Sequence, residues 1–366
     1  IGLKGCHELG RRMVAGLGVL SGNPTRDSFH IYAPSPQRNA LLVIDAKPAG
    51  SGVLLKLSQT LDLGFRSGTI TDHPTKLVLY ISGRSEKAGN NAAAVFLDPT
   101  GKPVRNVPVK LDRDYAYLSV DRAGKFLLGC NYGSGHVDVY PLGKDGVPGA
   151  RMAGLNEGRK EAHCVLPSLD NRFVYIPYVK GNNALFQYAF DSKIGGLTPL
   201  DPKNANPPEG TGPRHMAYHP TLPVVYFSEE QGLGISLYRQ AKDGQLAFWK
   251  RGRAVGDNAP SDGVSSSDIL LTPDGKFLYA GIRGHKHDFD FIAGYKVLSD
   301  ASLELIGLTP ADKIPWGLAA SPDSRYLVAT GFQSATLMVY AIGVDGKLTR
   351  SGTLNWDKNI SDVVAR

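Results

Sequence analysis

The sequence predicts an all-β fold, a seven-bladed β-propeller with four-stranded antiparallel blades and a ring closed by pairing the C-terminal strand with the N-terminal blade. Three observations carry this. One phrase, a polar turn followed by an apolar strand, recurs as HPTKLVLYISG from His73, DRAGKFLLGCNY from Asp121, SLDNRFVYIPYV from Ser168, HPTLPVVYFSEE from His219, TPDGKFLYAGIR from Thr272 and SPDSRYLVATGF from Ser321. Equivalent positions Leu77, Phe126, Phe173, Val224, Phe277 and Tyr326 are spaced by roughly 50 residues, the period of propeller blades rather than of helical repeats. Each copy is preceded by a short strand such as YAYLSV from Tyr115 or RHMAYH from Arg214. Each is followed by an alternating one such as GHVDVYPL from Gly135 or ATLMVYAI from Ala335, and often by an Asp-Gly turn opening a further strand, as in KDGQLAFW and VDGKLTRSG. Four short strands per unit make a propeller blade, and no stretch shows a long helical period. The chain ends supply the seventh blade. NISDVVAR, Asn359 to Arg366, is a first strand with no second after it, and DSFHIYAPSP from Asp27 is a second strand with no first before it. Joined, they remove both free sheet edges. The division expected is an N-terminal extension over 1–26 and one propeller domain over 27–366.

The bulk properties agree with a turn-rich globular protein. Of 366 residues, 43 are glycine and 24 proline, and 20% are charged. A net charge of +7 spread along the chain, with no basic tract, argues for a small anionic substrate and against nucleic acid. No apolar run approaches the roughly 18 residues of a membrane span. Three cysteines, Cys6, Cys130 and Cys164, are an odd number. The last two sit in strand-like runs, so free buried thiols in a reducing compartment are expected. The localisation expected is cytoplasmic; RRMVAGLGVLSG, Arg11 to Gly22, has the charge order of a leader but no A-x-A-like cleavage site, leaving export as the alternative.

Propeller topology turns sequence position into geometry. The innermost strand of each blade runs along the central channel and the second returns beside it, so the start of every first strand and the end of every second strand share one mouth. First-strand starts carry His163, Arg214, His215, Asp268 and Trp316; second-strand ends carry Asn131, Tyr132, Glu229, Glu230 and Arg283. Polar groups converging on the mouth of an apolar scaffold make a candidate site. A histidine with a carboxylate and arginines provides proton transfer and anion clamps, the parts needed to open or close a lactone. His73 and His219 fall at the opposite ends of their strands and are expected to be structural. The loop GHKHDFDF, Gly284 to Phe291, carries His285, His287, Asp288 and Asp290. It admits a metal, but nothing in its spacing fixes a coordination geometry, and no cofactor or metal is assigned.

NYGSGHVDVYPL, GTGPRHMAYHP followed by the SEE strand end, and TPDGKFLYAGIRG, in this order and spacing, resemble the seven-bladed lactonase propellers. That family comprises the propeller-type 6-phosphogluconolactonases and the fungal carboxy-cis,cis-muconate cyclase. The similarity runs from about Asp27 to the C-terminus. It implies a lactone hydrolase, with His163, Arg214, Glu230 and Arg283 as catalytic residues; the other rim residues, Asn131, Tyr132, His215, Glu229, Asp268 and Trp316, are expected around the substrate from their position at the mouth. Two departures bear on the substrate. The seventh unit reads IPWGL, with Trp316 where the family often has an arginine, and Ile282 replaces the usual Asn or Asp before Arg283. A flatter lactone stacked on Trp316 is therefore an alternative to a phosphosugar lactone. The rival functions are a lactonising cycloisomerase of the carboxymuconate type and a non-enzymatic binding propeller. A monomer is expected.

Overall fold

The repeated phrase is the turn between the first two strands of a blade. In the computed structural model, which describes residues 28–84, 89–256, 259–260 and 262–366, the polar residue opening each copy folds back on its own turn. Asp121 Oδ1 accepts the N–H groups of Lys125 and Phe126 at 2.6 and 2.7 Å. Ser168, Thr272 and Ser321 use their hydroxyls in the same way, while His73 and His219 each accept two backbone N–H groups at Nδ1. A side chain that satisfies its own turn lets one local chemistry serve six blades.

Seven four-stranded antiparallel sheets result. From blade one to blade seven the first strands are Val364–Ala365, Arg66–Asp72, Tyr117–Val120, Leu166–Pro167, Pro213–Tyr218, Val264–Leu271 and Pro315–Ala320. They line the axis, most of them directly against the first strand of the next blade. Second strands such as Phe173–Tyr178 and Val224–Glu229 are buried throughout. Outermost strands such as Gly196–Asn204 and Leu246–Arg253 turn much of their length to water. Apolar side chains fill the space between neighbouring blades, as where Val137 and Val139 of blade three meet Ile176 and Tyr178 of blade four.

Blade one is closed by the chain end. Ile31 and Tyr32 pair with Ala365 and Val364, and His30 and Arg366 exchange two backbone hydrogen bonds at 2.7 and 2.9 Å. Ile360 and Val363 enter the same core as Ile31 and Ile44.

A second device ties blade to blade. Tyr32, Tyr80, Tyr175, Tyr226 and Tyr279, all on second strands, donate their hydroxyls to the turn between the outer two strands of the following blade. The acceptors are the carbonyls of Gly101, Gly146, Gly244, Ala301 and Gly346. The turn demands glycine at Gly244, where φ is +90° and a Cβ would lie 2.2 Å from the ring of Phe173. Tyr226→Phe is expected to cost about 1 kcal/mol, because it removes one hydrogen bond and leaves the Ala301 carbonyl without its partner. Urea denaturation checks this.

Among the described residues the helical structure is one 3-10 turn, Lys180–Asn182, and no helix is long and apolar enough to cross a membrane. Cys130 and Cys164 are free and buried. Cys6, the leader-like Arg11 to Gly22 and the extension assigned to 1–26 lie outside the described residues.

Candidate active site

The first strands of blades five, six and seven share an irregularity at the channel mouth. Between Pro213 and Met216, Ser266 and Ile269, and Pro315 and Leu318, three steps along the first strand oppose two along the second. Each bulge inserts one extra residue where a regular strand would alternate faces. The consequence is plainest at Arg214 and His215, which are adjacent in sequence yet join one cluster.

Arg214 is fully buried, with Nε 3.1 Å from Glu230 Oε2. Arg283, 3% exposed, approaches the same oxygen at 3.9 Å and donates from Nη2 to the Ser266 carbonyl at 2.7 Å. Two guanidinium groups thus share one carboxylate. Nη2 of Arg214 and Nε of Arg283 have no hydrogen-bond partner among the described residues. Buried polar groups are ordinarily paired, so unpartnered cationic donors beside a channel mark a place for an anion or a developing oxyanion. Burial, and then the charge of Arg214, push Arg283 down to about 9, which leaves it protonated at neutral pH.

Trp316 underlies this pair. The Arg283 guanidinium lies 4.4 Å and that of Arg214 5.8 Å from its ring centroid, and Phe332 packs against the same ring at 4.6 Å. Where a further cation was expected to be missing, Trp316 instead supports the two cations present.

A second line of contacts crosses blades four to six. His163 precedes its short strand, held by its N–H to the Pro177 carbonyl at 3.0 Å. Its Nδ1 is 3.2 Å from Nε2 of His215, whose Nδ1 is 2.7 Å from Asp268 Oδ1. Asp268 also accepts the N–H of Ile269 at 2.8 Å and of Leu318 in blade seven at 2.9 Å. Burial, then the charge of Arg214, hold both imidazoles below their ordinary value, His163 strongly so. Burial alone would raise Asp268, but the hydrogen bond and charge of His215 outweigh it and hold the carboxyl below its usual range.

The remaining expected residues divide. Tyr132 joins the cluster, its ring 5.4 Å from that of His163 and 5.3 Å from Lys180 Nζ. Asn131 is spent on structure, donating to Asp114 ahead of the blade's first strand and accepting from Ser134 in its own turn. Glu229 lies on the opposite face of its strand from Glu230 and is directed away from the mouth. Its carboxylate is held by Ser236 and Arg251, from the two outer strands of the blade. Alternation along a strand separates the two neighbours. In the Gly284 to Phe291 loop, Asp290 accepts the Gly284 and Ile314 N–H groups and pairs with Lys313, and His285 meets Ser265 at 2.7 Å. Among the described residues no three His, Cys, Asp or Glu side chains gather as a metal ion would require.

The topology rule passed over Asp362, although the phrase ISDVVA repeats the SSSDIL of blade six. Asp362 reproduces the bonding of Asp268, accepting the N–H of the next residue, Val363, and that of Ile70 on the next blade's first strand. Burial, opposed by the Ile70 N–H and aided by the charge of Asp268, raises it to about 7.

Nearly the whole chain has recognisable relatives. A 6-phosphogluconolactonase of Cronobacter sakazakii is 29% identical over 329 residues, 88% of this chain and 93% of the relative. One of Erwinia tasmaniensis is 28% identical, over 86% and 91%. Among solved structures, the periplasmic gluconolactonase of Pseudomonas aeruginosa superposes with a TM-score of 0.78 at 19% identity, over 92% of this chain and 99% of the other. A Lactobacillus plantarum protein gives 0.77 at 18%, over 93% and 99%. At these identities the two structures speak for the fold. The family model described as lactonase, 7-bladed beta-propeller, matches residues 51–359, and the chain belongs to that family.

Proposed function

We propose that this chain hydrolyses a sugar lactone to the open aldonic acid, with 6-phosphogluconolactone as the first substrate to test. The observation that carries this is the pair of buried guanidinium groups, Arg214 and Arg283, with donors left open above a single carboxylate. The relatives named 6-phosphogluconolactonase support the choice of lactone.

In lactone hydrolysis water adds to the carbonyl carbon and negative charge gathers on the carbonyl oxygen. Open N–H donors already fixed by Glu230, Ser266 and Trp316 meet that charge without reorganising, and burial strengthens them. The substrate's anionic group competes for the same positive field. His163 and Glu230 are the two groups able to take the water's proton and return it to the departing ring oxygen. His215, expected with Asp268 beside the substrate, is hydrogen-bonded to Asp268 through Nδ1 and to His163 through Nε2.

The test is a lactone panel, phosphorylated and unphosphorylated, followed by proton release against the uncatalysed rate, with carboxymuconate followed in the ultraviolet as a separate arm. Turnover of a lactone that falls by at least a hundredfold in Arg214→Ala and Glu230→Gln is expected; unchanged turnover in both would overturn the site. Because His163 is held below the ordinary histidine range, its neutral form persists on mild acidification. The acid limb of kcat/KM is therefore expected below the ordinary histidine pKa of about 6.5, with activity retained at pH 6. The buried free thiols Cys130 and Cys164 support a cytoplasmic setting, and the closed ring supports a monomer, which sedimentation checks.

A further inference from the structure

We propose that Asp268, His215 and His163 form a proton relay, in which the carboxylate sets the tautomer of both imidazoles and leaves Nε2 of His163 as the base that meets the attacking water. The proposal rests on the lactone-hydrolysing reading of the site and makes His215 and Asp268 positioning residues rather than substrate contacts.

The tautomers follow from partners whose roles are fixed. Asp268, ionised and already receiving two backbone N–H groups, can only accept, so the proton between it and His215 sits on His215 Nδ1. Nε2 of His215 then carries a lone pair. Arg214 Nη1, which can only donate, lies 3.4 Å from that atom and agrees with the assignment. His163 Nδ1, 3.2 Å from the same lone pair, must present an N–H to it. The neutral His163 ring therefore bears its one acceptor lone pair on Nε2, an atom that makes no hydrogen bond among the described residues. Arg214 from blade five and Arg283 from blade six also face this ring, with Tyr132 from blade three packed against it. Asp362 from blade one faces Asp268, and Tyr117 from blade three packs on His215.

The step balances without a further reactant. Water forms a bond to the carbonyl carbon while one of its protons passes to Nε2. The tetrahedral intermediate then collapses, the bond to the ring oxygen breaks, and Nε2 returns that proton to the departing oxygen. While Nε2 holds the proton, the positive charge on His163 is relieved through its Nδ1–H onto His215, whose Nδ1–H in turn leans on Asp268. Asp268 stays ionised, as the carboxylate does in carboxylate–histidine pairs generally.

Two measurements decide the proposal. In the full-length protein labelled with ¹⁵N-histidine, long-range proton–nitrogen spectra, assigned with His163→Gln and His215→Gln, should show both rings neutral with their protons on Nδ1. A proton on Nε2 of His163 overturns the relay whether or not any lactone is turned over, so the relay and the functional reading can fail separately. In the kinetic arm, Asp268→Asn and His215→Gln should each lower kcat by about a hundredfold or more, within the range of general acid–base catalysis, with KM changed less than about threefold. Each should add little to the loss in His163→Ala, because the three groups act as one unit. A raised KM with kcat preserved, or losses that multiply with that of His163→Ala, overturns the proposal and returns the two residues to substrate binding.

Discussion

Arg283→Met is expected to lower kcat/KM for lactone hydrolysis by about a thousandfold, roughly 4 kcal/mol of transition-state stabilisation, and at the same time to raise the thermal midpoint. The two effects have one cause. Arg283 is almost fully buried, holds an unpartnered Nε and lies in the field of Arg214, so the free protein bears the desolvation of a cation and a like-charge repulsion. Glu230 keeps Arg214 at 3.1 Å when Arg283 is removed, so no carboxylate is stranded. Methionine retains most of the volume and a favourable sulfur contact with Trp316; the loss is the hydrogen bond to the Ser266 carbonyl. Replacing a poorly compensated buried charge by an apolar side chain of similar size is commonly stabilising by about 1 kcal/mol or more. In a domain of this size that is about 1–3 °C. Calorimetry beside initial rates checks both signs. A fall of several degrees would show that the guanidinium pair holds the fold together rather than waiting for a ligand.

The fold was legible because its information is local and repeated. The polar residue opening each phrase caps a turn within five residues of itself, as Asp121 and Ser168 do, so it appears in sequence as a fixed pattern. Closure of the ring was legible for a related reason, since NISDVVAR and DSFHIYAPSP are each incomplete alone. The tyrosine latches were not recognised, although tyrosine in the second strand and Asp-Gly in the outer turn were both visible, because the hydroxyl and its acceptor lie some 70 residues apart in adjoining blades.

The site was legible to the level of strand ends and no further. Position in a blade brings His163, Arg214, Glu230, Arg283 and Trp316 to one mouth, and there the structure brings them together. What a side chain does at that mouth depends on register, which the bulges at Arg214, Asp268 and Trp316 alter by one residue each. A one-residue slip exchanges faces, and it brings Arg214 and His215 into one cluster, whereas ordinary alternation separates Glu229 from Glu230. The link between Asp268 and His163 is invisible in sequence because it passes through a third residue on a third blade. Trp316 shows the same limit: its pattern position reveals an absent arginine but not the Arg283 side chain lying against its ring.

Removing residues 362–366 is expected to have the largest effect of all, converting a closed ring into one with an open edge. The deletion takes away the pairing of Val364 and Ala365 with Tyr32 and Ile31, the two backbone hydrogen bonds between His30 and Arg366, and the Asp362 carboxylate that accepts the Ile70 N–H. It also uncovers the core side of Phe29–Ser35, which Val363 helps to seal. Burial of one valine is worth about 2 kcal/mol and each net hydrogen bond about 1 kcal/mol, so the direct loss is about 5 kcal/mol. That equals the lower end of the stability of a whole domain. The consequence exceeds the sum, because Phe29–Ser35 would become an exposed, apolar strand with unpaired N–H and C=O groups, a template for pairing with other copies. The truncated chain should unfold at markedly lower denaturant concentration and scatter light on concentration. A synthetic peptide of residues 359–366 should restore part of the lost stability by adding back the missing strand, a rescue that general loss of core packing would not allow. A truncated chain that remains monomeric with an unchanged midpoint would show that six blades and an open seventh suffice.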